Sequence, residues 1–282
     1  MIEILSLGSG LSLQDAGRPG WRCYGLPAGG AMDPCAMAQA NRLLGNHDHA
    51  CVLEITLLGS RFRALEDTWL AVGGADFSSR IHAQTALPLK AGTTFSFEQK
   101  APGLYAYLAL PGGIQSDQWM GSASADPRNG LGHPLEKGSQ LIPVDMQANI
   151  PSHSVARRVA SHPATYIPTE EASFQLYRGP QFASFSRRAQ EQFIQQRWQI
   201  DARSDRSGFR LGGDSLEAPA SMTSEPLLPG SFQVPGNGQP IITMPDGPTV
   251  GGYPQIAVLK KEDLPKMAQC PPRTELAFEW ID

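Results

Sequence analysis

Glycine and proline divide this chain of 282 residues into short segments, and this division limits the folds that it can adopt. The sequence holds 29 glycines and 24 prolines, which favour turns between short elements. Between these turns lie apolar runs of strand length, such as CVLEITLLG, TWLAVGG, TTFSFEQ and LYAYLALPGG. Five Gly-Gly pairs punctuate the chain: Gly29-Gly30, Gly73-Gly74, Gly112-Gly113, Gly212-Gly213 and Gly251-Gly252. We therefore expect a mainly β fold, built as barrels or sandwiches rather than as βαβ units.

A few helices interrupt this β pattern. Asp33 followed by Pro34 predicts a helix start, because Asp accepts hydrogen bonds from the first free N–H groups and Pro needs no acceptor there. Gly45 marks the end of this first helix. A second helix is predicted after Gly179, in PQFASFSRRAQEQFIQQRW, and a short third one after Asp263.

Charge and composition argue against several classes of partner. The formal net charge is −4 and the isoelectric point is near 5.9, with no basic run, so we expect no nucleic acid partner. The apolar runs are too short to span a membrane, and the start MIEILSLGSG does not resemble a secretory signal. Four cysteines without a CxxC pair are typical of reduced thiols. These features predict a soluble, cytoplasmic protein.

Two domains are predicted from the change in pattern near the middle of the chain. The stretch from about residue 145 to 169 has no sustained periodicity and several Pro and Ser residues. We expect an N-terminal β-rich half over 1–145, an irregular connection over 146–169 and a C-terminal half over 170–282. The connection is either a linker or an irregular crossing between two packed barrels.

Several common catalytic motifs are absent from the sequence. It contains no GxxxxGK[ST] phosphate loop, no GxGxxG after a strand, no GxSxG elbow and no HExxH. His47 and His49 form an HxH, but no further ligand is visible nearby, so no metal site is predicted. No AMKM-type segment offers a lysine for biotin attachment. Any use of ATP or biotin would therefore involve other local signatures or another polypeptide.

The first polar cluster of the sequence lies in LSLQDAGRPGW. It places Gln14, Asp15 and Arg18 in a glycine-rich turn. An Asp close to an Arg in such a turn either stabilises the turn as a pair or contacts a ligand, and both interpretations stay open.

A second cluster lies in ARSDRSGFRLGG, where a loop enters a strand. Arg206 and Arg210 suit a carboxylate or a phosphoryl group, because guanidinium groups bind both with two hydrogen bonds. The alternative is that Asp205 pairs with one of these arginines and the cluster is structural.

The third cluster lies in MPDGPTVGGYP, between the apolar runs QPIIT and QIAVL. It contains Asp246, Thr249 and Tyr253, with Gly251 and Gly252 permitting positive φ angles. Such a segment is either a hairpin connection or a shaped backbone wall for a ligand. We favour the wall, with the two glycines allowing close approach of the backbone and Tyr253 closing one side.

These clusters resemble a known family along almost the full length of the chain. The resemblance is carried by LSLQDAGRPGWRCYGLPAGGAMDPCAMAQANRLLGN, by SDRSGFRLGG and by SEPLLPGSFQVPGNGQPIITMPDGPTVGGYPQIA. The chain is similar to the allophanate hydrolase subunit 2 family, which includes the Kip inhibitor antagonist, the C component of 5-oxoprolinase and the carboxyltransferase region of urea carboxylase. The resemblance implies two cyclophilin-like β-barrel halves.

The resemblance also implies an enzyme complex. Members work beside an allophanate hydrolase subunit 1-type chain, which is also called the B component of 5-oxoprolinase, and beside an A-type component. Together they open 5-oxoproline, a small-molecule substrate, to glutamate at the expense of ATP. ATP would be shared with these partner proteins, and this chain would carry no covalently attached biotin.

The expected roles of the site residues follow from residue type and motif position. Asp246 or Asp15 is predicted to act as the catalytic proton acceptor or to contact a metal. The predicted substrate-binding residues are Arg206, Arg210, Arg18, Gln14, Gly251, Gly252, Tyr253 and Thr249.

Four positions depart from the family pattern and bear on specificity and activity: Pro248, Pro226, Ser207 and Gln255. Two alternative functions therefore stand beside the first. One is a carboxyltransferase component that acts on a urea-like amide with a biotin-carrying partner. The other is a non-catalytic regulatory protein that binds an inhibitor of a histidine kinase.

Overall fold

A computed structural model describes residues 1–78, 80–145, 157–158 and 170–281. Strands outnumber helices throughout this part of the chain, which confirms the predicted mainly β fold with a few helices. The predicted connection over 146–169 lies almost entirely outside the described residues. None of the helices within the described ranges has the length and apolar character needed to cross a membrane.

The chain divides into two compact units. Unit 1 comprises Met1–Arg18 and Gly29–Ile167, and unit 2 comprises Pro19–Ala28 and Pro168–Asp282. The ten residues Pro19–Ala28 therefore group with unit 2, although the chain on both sides of them belongs to unit 1.

Unit 1 contains two antiparallel sheets and one α-helix among its described residues. The four-stranded sheet has the order β7-β4-β1-β9 and the six-stranded sheet the order β10-β6-β5-β8-β3-β2. One buried cluster contains apolar side chains from both sheets, so the core of this unit includes both inner faces. The elements are β1 Ile2–Leu7, β2 Leu11–Gln14, α1 Pro34–Leu44, β3 Val52–Thr56, β4 Ser60–Ala64, β5 Thr68–Gly74, β6 Thr85–Leu89, β7 Thr94–Phe97, β8 Tyr105–Ala109, β9 Gln140–Leu141 and β10 Arg157–Arg158.

Helix α1 begins and ends as the sequence predicts. The side chain of Asp33 accepts a hydrogen bond from the backbone N–H of Ala36 at 3.0 Å, and Pro34 is the first helical residue. Gly45 ends the helix in the left-handed conformation, with φ at 75°. The buried face includes Met37, which joins the apolar interior of unit 1.

Gly73 sets how closely α1 packs on strand β5. A Cβ atom at this position would lie 2.2 Å from the carbonyl oxygen of Ala36 and 3.3 Å from the backbone nitrogen of Ala40. Both are backbone atoms of α1, so they cannot move without shifting the helix. The glycine is therefore required by the contact between helix and sheet.

Gly73→Ala is expected to lower the free energy of unfolding by about 2–3 kcal/mol, because the added methyl group overpacks the contact between α1 and β5. Urea unfolding followed by circular dichroism measures the change. Gly236→Ala is the matched control, since a Cβ there meets nothing within 4 Å. An equal effect of the two substitutions would contradict close packing at Gly73.

Unit 2 is built around a closed seven-stranded barrel. The barrel order is β11-β18-β15-β16-β13-β12-β19, with β11 and β19 parallel and the other described pairs antiparallel. Strands β14 and β17 form a separate two-stranded sheet. The elements are β11 Glu171–Arg178, α2 Arg187–Gln195, β12 Trp198–Ile200, β13 Gly208–Gly212, β14 Glu225–Pro226, β15 Ser231–Gln233, β16 Ile241–Thr243, β17 Val250–Gly251, β18 Gln255–Leu259, α3 Leu264–Ala268 and β19 Glu275–Trp280.

Aromatic side chains fill the barrel beneath helix α2. Phe193 of the helix stacks on Phe278 with ring centroids 5.5 Å apart, and Phe232 meets the Phe278 ring edge to face at 5.1 Å. The helix starts later than the sequence predicts. Ser186 caps it by accepting a hydrogen bond from the backbone of Ala189. The preceding residues Phe182–Ser184 form a short 3-10 turn instead. Phe185 then adopts an extended conformation, which separates this turn from the helix.

Candidate functional site

The N-terminal polar cluster of unit 1 is organised around the carboxylate of Asp15, which is buried just after strand β2. Its Oδ1 accepts hydrogen bonds from the backbone N–H of Gly17 at 2.8 Å and from the hydroxyls of Ser122 and Ser124, each at 2.6 Å. Its Oδ2 accepts a bond from the backbone N–H of Ala123 at 2.7 Å. Four donors therefore compensate for the burial of this carboxylate.

Arg18 adds a buried cation to the same cluster, with only 1% of its surface exposed. Its Nη2 donates to the carbonyl of Ser124, whose hydroxyl in turn bonds Asp15. Within the described residues, Nε and Nη1 of Arg18 have no hydrogen-bond partner, and neither has Oε1 of the buried Gln14. A Cβ on Gly29 would lie 2.9 Å from Nη1. The unmatched donors of this guanidinium suit an anionic or carbonyl oxygen.

A second buried polar group of unit 1 was not predicted from the sequence. Oε2 of Glu54 accepts hydrogen bonds from the backbone N–H of Met32 at 2.8 Å and from the hydroxyl of Tyr107 at 2.9 Å. The same hydroxyl accepts a bond from the backbone N–H of Asp33 at 2.7 Å. Burial, and then the nearby carboxylate of Glu54, raise the pKa of Tyr107 well above its ordinary value. The phenol therefore stays protonated and holds the segment that leads into α1.

In unit 2, Arg206 and Asp246 form an ion pair with two hydrogen bonds. Nε of Arg206 donates to Oδ2 of Asp246 at 2.7 Å, and Nη2 donates to Oδ1 at 2.9 Å. The two side chains are only 18% and 7% exposed. The backbone N–H of Asp246 also donates to the carbonyl of Arg206 at 3.0 Å, so the two loops are joined. The predicted anion ligand and one of the predicted proton acceptors thus engage each other.

Arg210 lies apart from this pair. It is an exposed residue of strand β13 and lines a cleft of about 260 Å³ together with Arg203 and Gln239. Its backbone N–H donates to the hydroxyl of Ser204 at 3.0 Å, which ties the middle of the strand to the preceding turn. Arg206 does not line this cleft.

The segment around strand β17 contains the other predicted residues of unit 2. The backbone carbonyls of Thr249 and Gly252 accept hydrogen bonds from the chain on either side of β14. A Cβ on Gly251 would lie 2.4 Å from Nε2 of Gln233, so this glycine lets the amide pack against the backbone. Tyr253 is 43% exposed. The backbone of this segment is therefore held on one side and its tyrosine faces solvent.

The short segment Pro19–Ala28 is fastened to unit 2 by Arg22. Nη2 of Arg22 donates to the carbonyl of Leu227 and lies 3.4 Å from that of Pro248. Partial burial lowers the pKa of Arg22 from its ordinary value. The segment is thus tied to the residues that follow β14 and precede β17, at one end of the small sheet.

The structure arranges the predicted residues in separate groups: Gln14 with Asp15 and Arg18, Arg206 with Asp246, Arg210 in its cleft, and Thr249 with Gly251, Gly252 and Tyr253. The serines that bind Asp15 were missed. The sequence pattern that could have indicated them is the alternation Ser-Ala-Ser-Ala over residues 122–125. In an extended chain this alternation places Ser122 and Ser124 on the same side. Across the described residues, no group of three or more His, Cys, Asp or Glu side chains is placed to hold a metal ion.

These groups can bind anions and carbonyl oxygens and can accept protons. Arg18 offers unmatched donors in a buried setting, and Arg210 offers an exposed guanidinium in a cleft. Asp15 and Asp246 are carboxylates held in place by several donors. Such preorganised groups are the kind that stabilise charge developing at an amide carbonyl.

Comparison with known proteins gives near full-length matches. The chain is 34% identical to the C component of the 5-oxoprolinase of Escherichia coli (strain K12) over 96% of this chain and 88% of that protein. It is 28% identical to the urea amidolyase of Saccharomyces cerevisiae over 98% of this chain, but over only 16% of that protein.

Solved structures and family comparison agree with these matches. The crystal structure of TTHA0988 superposes with a TM-score of 0.88 at 29% identity, covering 99% of this chain. This chain spans 55% of the length of TTHA0988. The description "Carboxyltransferase domain, subdomain A and B" matches residues 24–280. The chain therefore belongs to the carboxyltransferase domain, subdomain A and B family.

Proposed function

We propose that this chain is the C component of an ATP-dependent 5-oxoprolinase, which opens the lactam of 5-oxoproline to glutamate together with partner proteins. The single observation that carries this proposal is the 34% identity to the corresponding component of the Escherichia coli enzyme over 96% of this chain. The similarity extends over both units, so it is not confined to a shared core.

The chemistry of the reaction fits the groups that the chain offers. A lactam is a resonance-stabilised amide, so its carbonyl needs activation and the resulting oxyanion needs fixed donors. In this proposal, Arg206 orients Asp246 through their two hydrogen bonds, Arg210 holds an anionic oxygen, and Asp15 or Asp246 accepts a proton. ATP use belongs to the assembled complex, and this chain binds and orients the substrate.

The partners in this proposal are a B-type and an A-type component of 5-oxoprolinase, in the cytoplasm. Large apolar side chains on neighbouring segments of unit 2 support contact with another protein, because exposed apolar patches mark such surfaces. These side chains are Trp21, Tyr24, Leu228, Val250 and Tyr253.

The test is glutamate release from 5-oxoproline by the chain reconstituted with candidate A-type and B-type components. We expect glutamate only when ATP and all three proteins are present. Omission of each protein in turn, and of ATP, supplies the controls. A complex that assembles but releases no glutamate would reject 5-oxoproline as the substrate.

A second candidate is a carboxyltransferase component that acts on a urea-like amide. It is favoured by the family itself and by the similarity to urea amidolyase over 98% of this chain. The chain corresponds to only 16% of that enzyme, so a biotin carrier and a biotin carboxylase would have to come from other chains. Carboxyl transfer from carboxybiotin to urea, measured with a biotinylated partner, separates this candidate from the first.

A further inference from the structure

Three acceptor side chains of unit 2 meet between the barrel wall and the small sheet of β14 and β17. Gln233 of β15 and Gln255 of β18 are directly opposite each other in the barrel, so their side chains lie on the same face. The amide of Gln233 packs against Gly251, which is the partner of Glu225 in the small sheet. Gln255 reaches the same sheet, because its Nε2 donates to the carbonyl of Pro226 at 3.3 Å. We call Glu225, Gln233 and Gln255 the acceptor cluster.

Hydrogen bonds within unit 2 fix the orientation of the cluster. Nε2 of Gln181 donates to Oε2 of Glu225 at 2.9 Å, and Oε1 of Gln181 accepts the backbone N–H of Gln255 at 3.0 Å. Gln181 therefore holds the carboxylate of Glu225 beside strand β18. Nε2 of Gln233 donates to the carbonyl of Tyr253 at 3.4 Å. The amide nitrogens of both cluster glutamines are thus bonded to backbone carbonyls, which leaves their oxygens for other contacts.

One oxygen of each cluster residue remains available to a ligand. Oε1 of Glu225, of Gln233 and of Gln255 accepts no hydrogen bond from any described residue. None of these three atoms is shut off from solvent, in contrast to Oε1 of Gln239. Glu225 is only partly buried, and it forms no ion pair within the part of the chain that the structure describes. The cluster therefore presents three reachable acceptors and one negative charge without a counter-charge.

A site of this composition favours a group that presents donors and a positive charge. An alkylammonium group carries three N–H donors and one positive charge, so it matches the acceptor cluster in number and in sign. A carboxylate or a phosphate group would instead be repelled by Glu225 and would find no cation in the cluster. The cluster is therefore complementary to an amine, whereas Arg210 suits anions.

We propose that the acceptor cluster binds the ammonium group that forms when the lactam of 5-oxoproline opens, with Glu225 as its counter-charge. This inference rests on the proposed function. In the net reaction the bond between the carbonyl carbon and the ring nitrogen breaks, and the oxygen of a water molecule completes a new carboxylate on that carbon. Both hydrogens of this water end on the nitrogen, while ATP hydrolysis in the assembled complex drives the step.

The nitrogen thus changes from a neutral amide with one N–H to an ammonium with three. The acceptor cluster gains hydrogen bonds and an ion pair as this change proceeds, so it binds the departing nitrogen more strongly than the lactam. An interaction that strengthens along the reaction lowers the barrier rather than KM. Gln181 is a positioning residue in this proposal, because it acts through Glu225.

Glutamate and glutarate are matched probes for the cluster, since they share two carboxylates and differ by the ammonium group. Titration calorimetry measures the binding of each to the full chain. We expect wild type to bind glutamate roughly tenfold more tightly than glutarate, a difference of about 1.4 kcal/mol. Glu225→Gln keeps an acceptor for Gln181 but removes the charge, so it should abolish this preference. Equal binding of the two probes by wild type, or no binding of glutamate, overturns the proposal.

Two further variants serve as control and as a second test. Glu217→Gln is the matched control, because Glu217 is an exposed glutamate of unit 2 whose Oε2 accepts one side-chain bond, from Ser186 at 2.9 Å. It should keep the preference of wild type. Gln233→Met, checked for an unchanged melting temperature, removes an acceptor without changing the charge and should reduce the preference in part. A preference for glutamate that survives Glu225→Gln unchanged contradicts the proposal.

Activity of the assembled complex distinguishes failure of this inference from failure of the proposed function. We expect Glu225→Gln to lower kcat for 5-oxoproline roughly tenfold with a smaller change in KM, and to weaken inhibition by glutamate. If an active complex keeps its kcat and its inhibition by glutamate in this variant, the function stands and the cluster assignment is overturned. If the preference for glutamate depends on Glu225 but the wild-type complex releases no glutamate, the ammonium site stands and the proposed reaction fails.

Discussion

Asp15→Ala is expected to lower the free energy of unfolding by about 3–5 kcal/mol, the largest stability effect among the predictions for this protein. The substitution leaves four donors around a buried position without their acceptor, two of them serine hydroxyls. It also removes the acidic side chain that is nearest to the buried Arg18 in the sequence. Ser124 links the two residues, because its carbonyl binds Arg18 and its hydroxyl binds Asp15. Urea unfolding followed by circular dichroism measures the loss.

Asp67→Ala is the control for this experiment, because it removes an aspartate of the same unit that is 45% exposed. The Asp67 carboxylate accepts bonds from Lys90 and from the backbone of Ala91, so the chemistry is similar but solvated. We expect a much smaller loss than at Asp15, because solvent screens the interactions of an exposed carboxylate. Similar losses at the two positions would show that burial of Asp15 does not matter. A folded Asp15 variant that binds partners but loses turnover would support the predicted catalytic role.

Asp246→Ala is expected to lower the free energy of unfolding by about 3 kcal/mol, because it leaves the largely buried guanidinium of Arg206 without its bidentate partner. Arg206→Ala should have a comparable effect. The double variant should cost less than the sum of the two, with a coupling energy of about 2 kcal/mol. Urea unfolding of the four proteins completes this double-mutant cycle.

The ion pair of Arg187 and Glu191 on helix α2 is the matched control for that cycle. Its side chains are 90% and 53% exposed, so we expect a coupling of only about 0.3–0.5 kcal/mol. A coupling between Arg206 and Asp246 as small as this would argue that the pair is not structural. Arg206 and Asp246 would then act independently, as the anion ligand and the proton acceptor that the sequence suggested.

Local signals were sufficient to predict much of the fold. Asp33, Pro34 and Gly45 define α1 because capping depends on residues within one turn of the helix end. Strand β5 coincides with the run TWLAVGG. All of its residues are buried, and a strand buried on both faces is recognisable in the sequence as a continuous apolar run. Helix α2 was predicted to begin too early because Phe182 and Phe185 match a helical stripe, whereas the cap at Ser186 decides the start.

The partners within the candidate site could not be predicted, because they are distant in sequence. Asp15 bonds serines more than a hundred residues away, and Arg206 bonds a carboxylate forty residues away. The charged side chains of the glycine-rich loops could be recognised from the sequence. Which of them bond to each other depends on how the strands that carry the loops align. For Arg206, proximity in sequence could suggest only Asp205 as a partner, and it gave no sign of the bidentate pair with Asp246.

The membership of Pro19–Ala28 in unit 2 has a consequence for synthesis on the ribosome. Arg22 and its acceptor Leu227 are 205 positions apart, so the segment emerges long before the residues that it bonds. At ordinary elongation rates the delay is roughly 10–40 s. During that time unit 1 can fold while the ten residues Pro19–Ala28, which belong to unit 2, remain as a loop. A fragment ending near residue 145 would keep this segment without Leu227 and Pro248, the residues of unit 2 that Arg22 contacts.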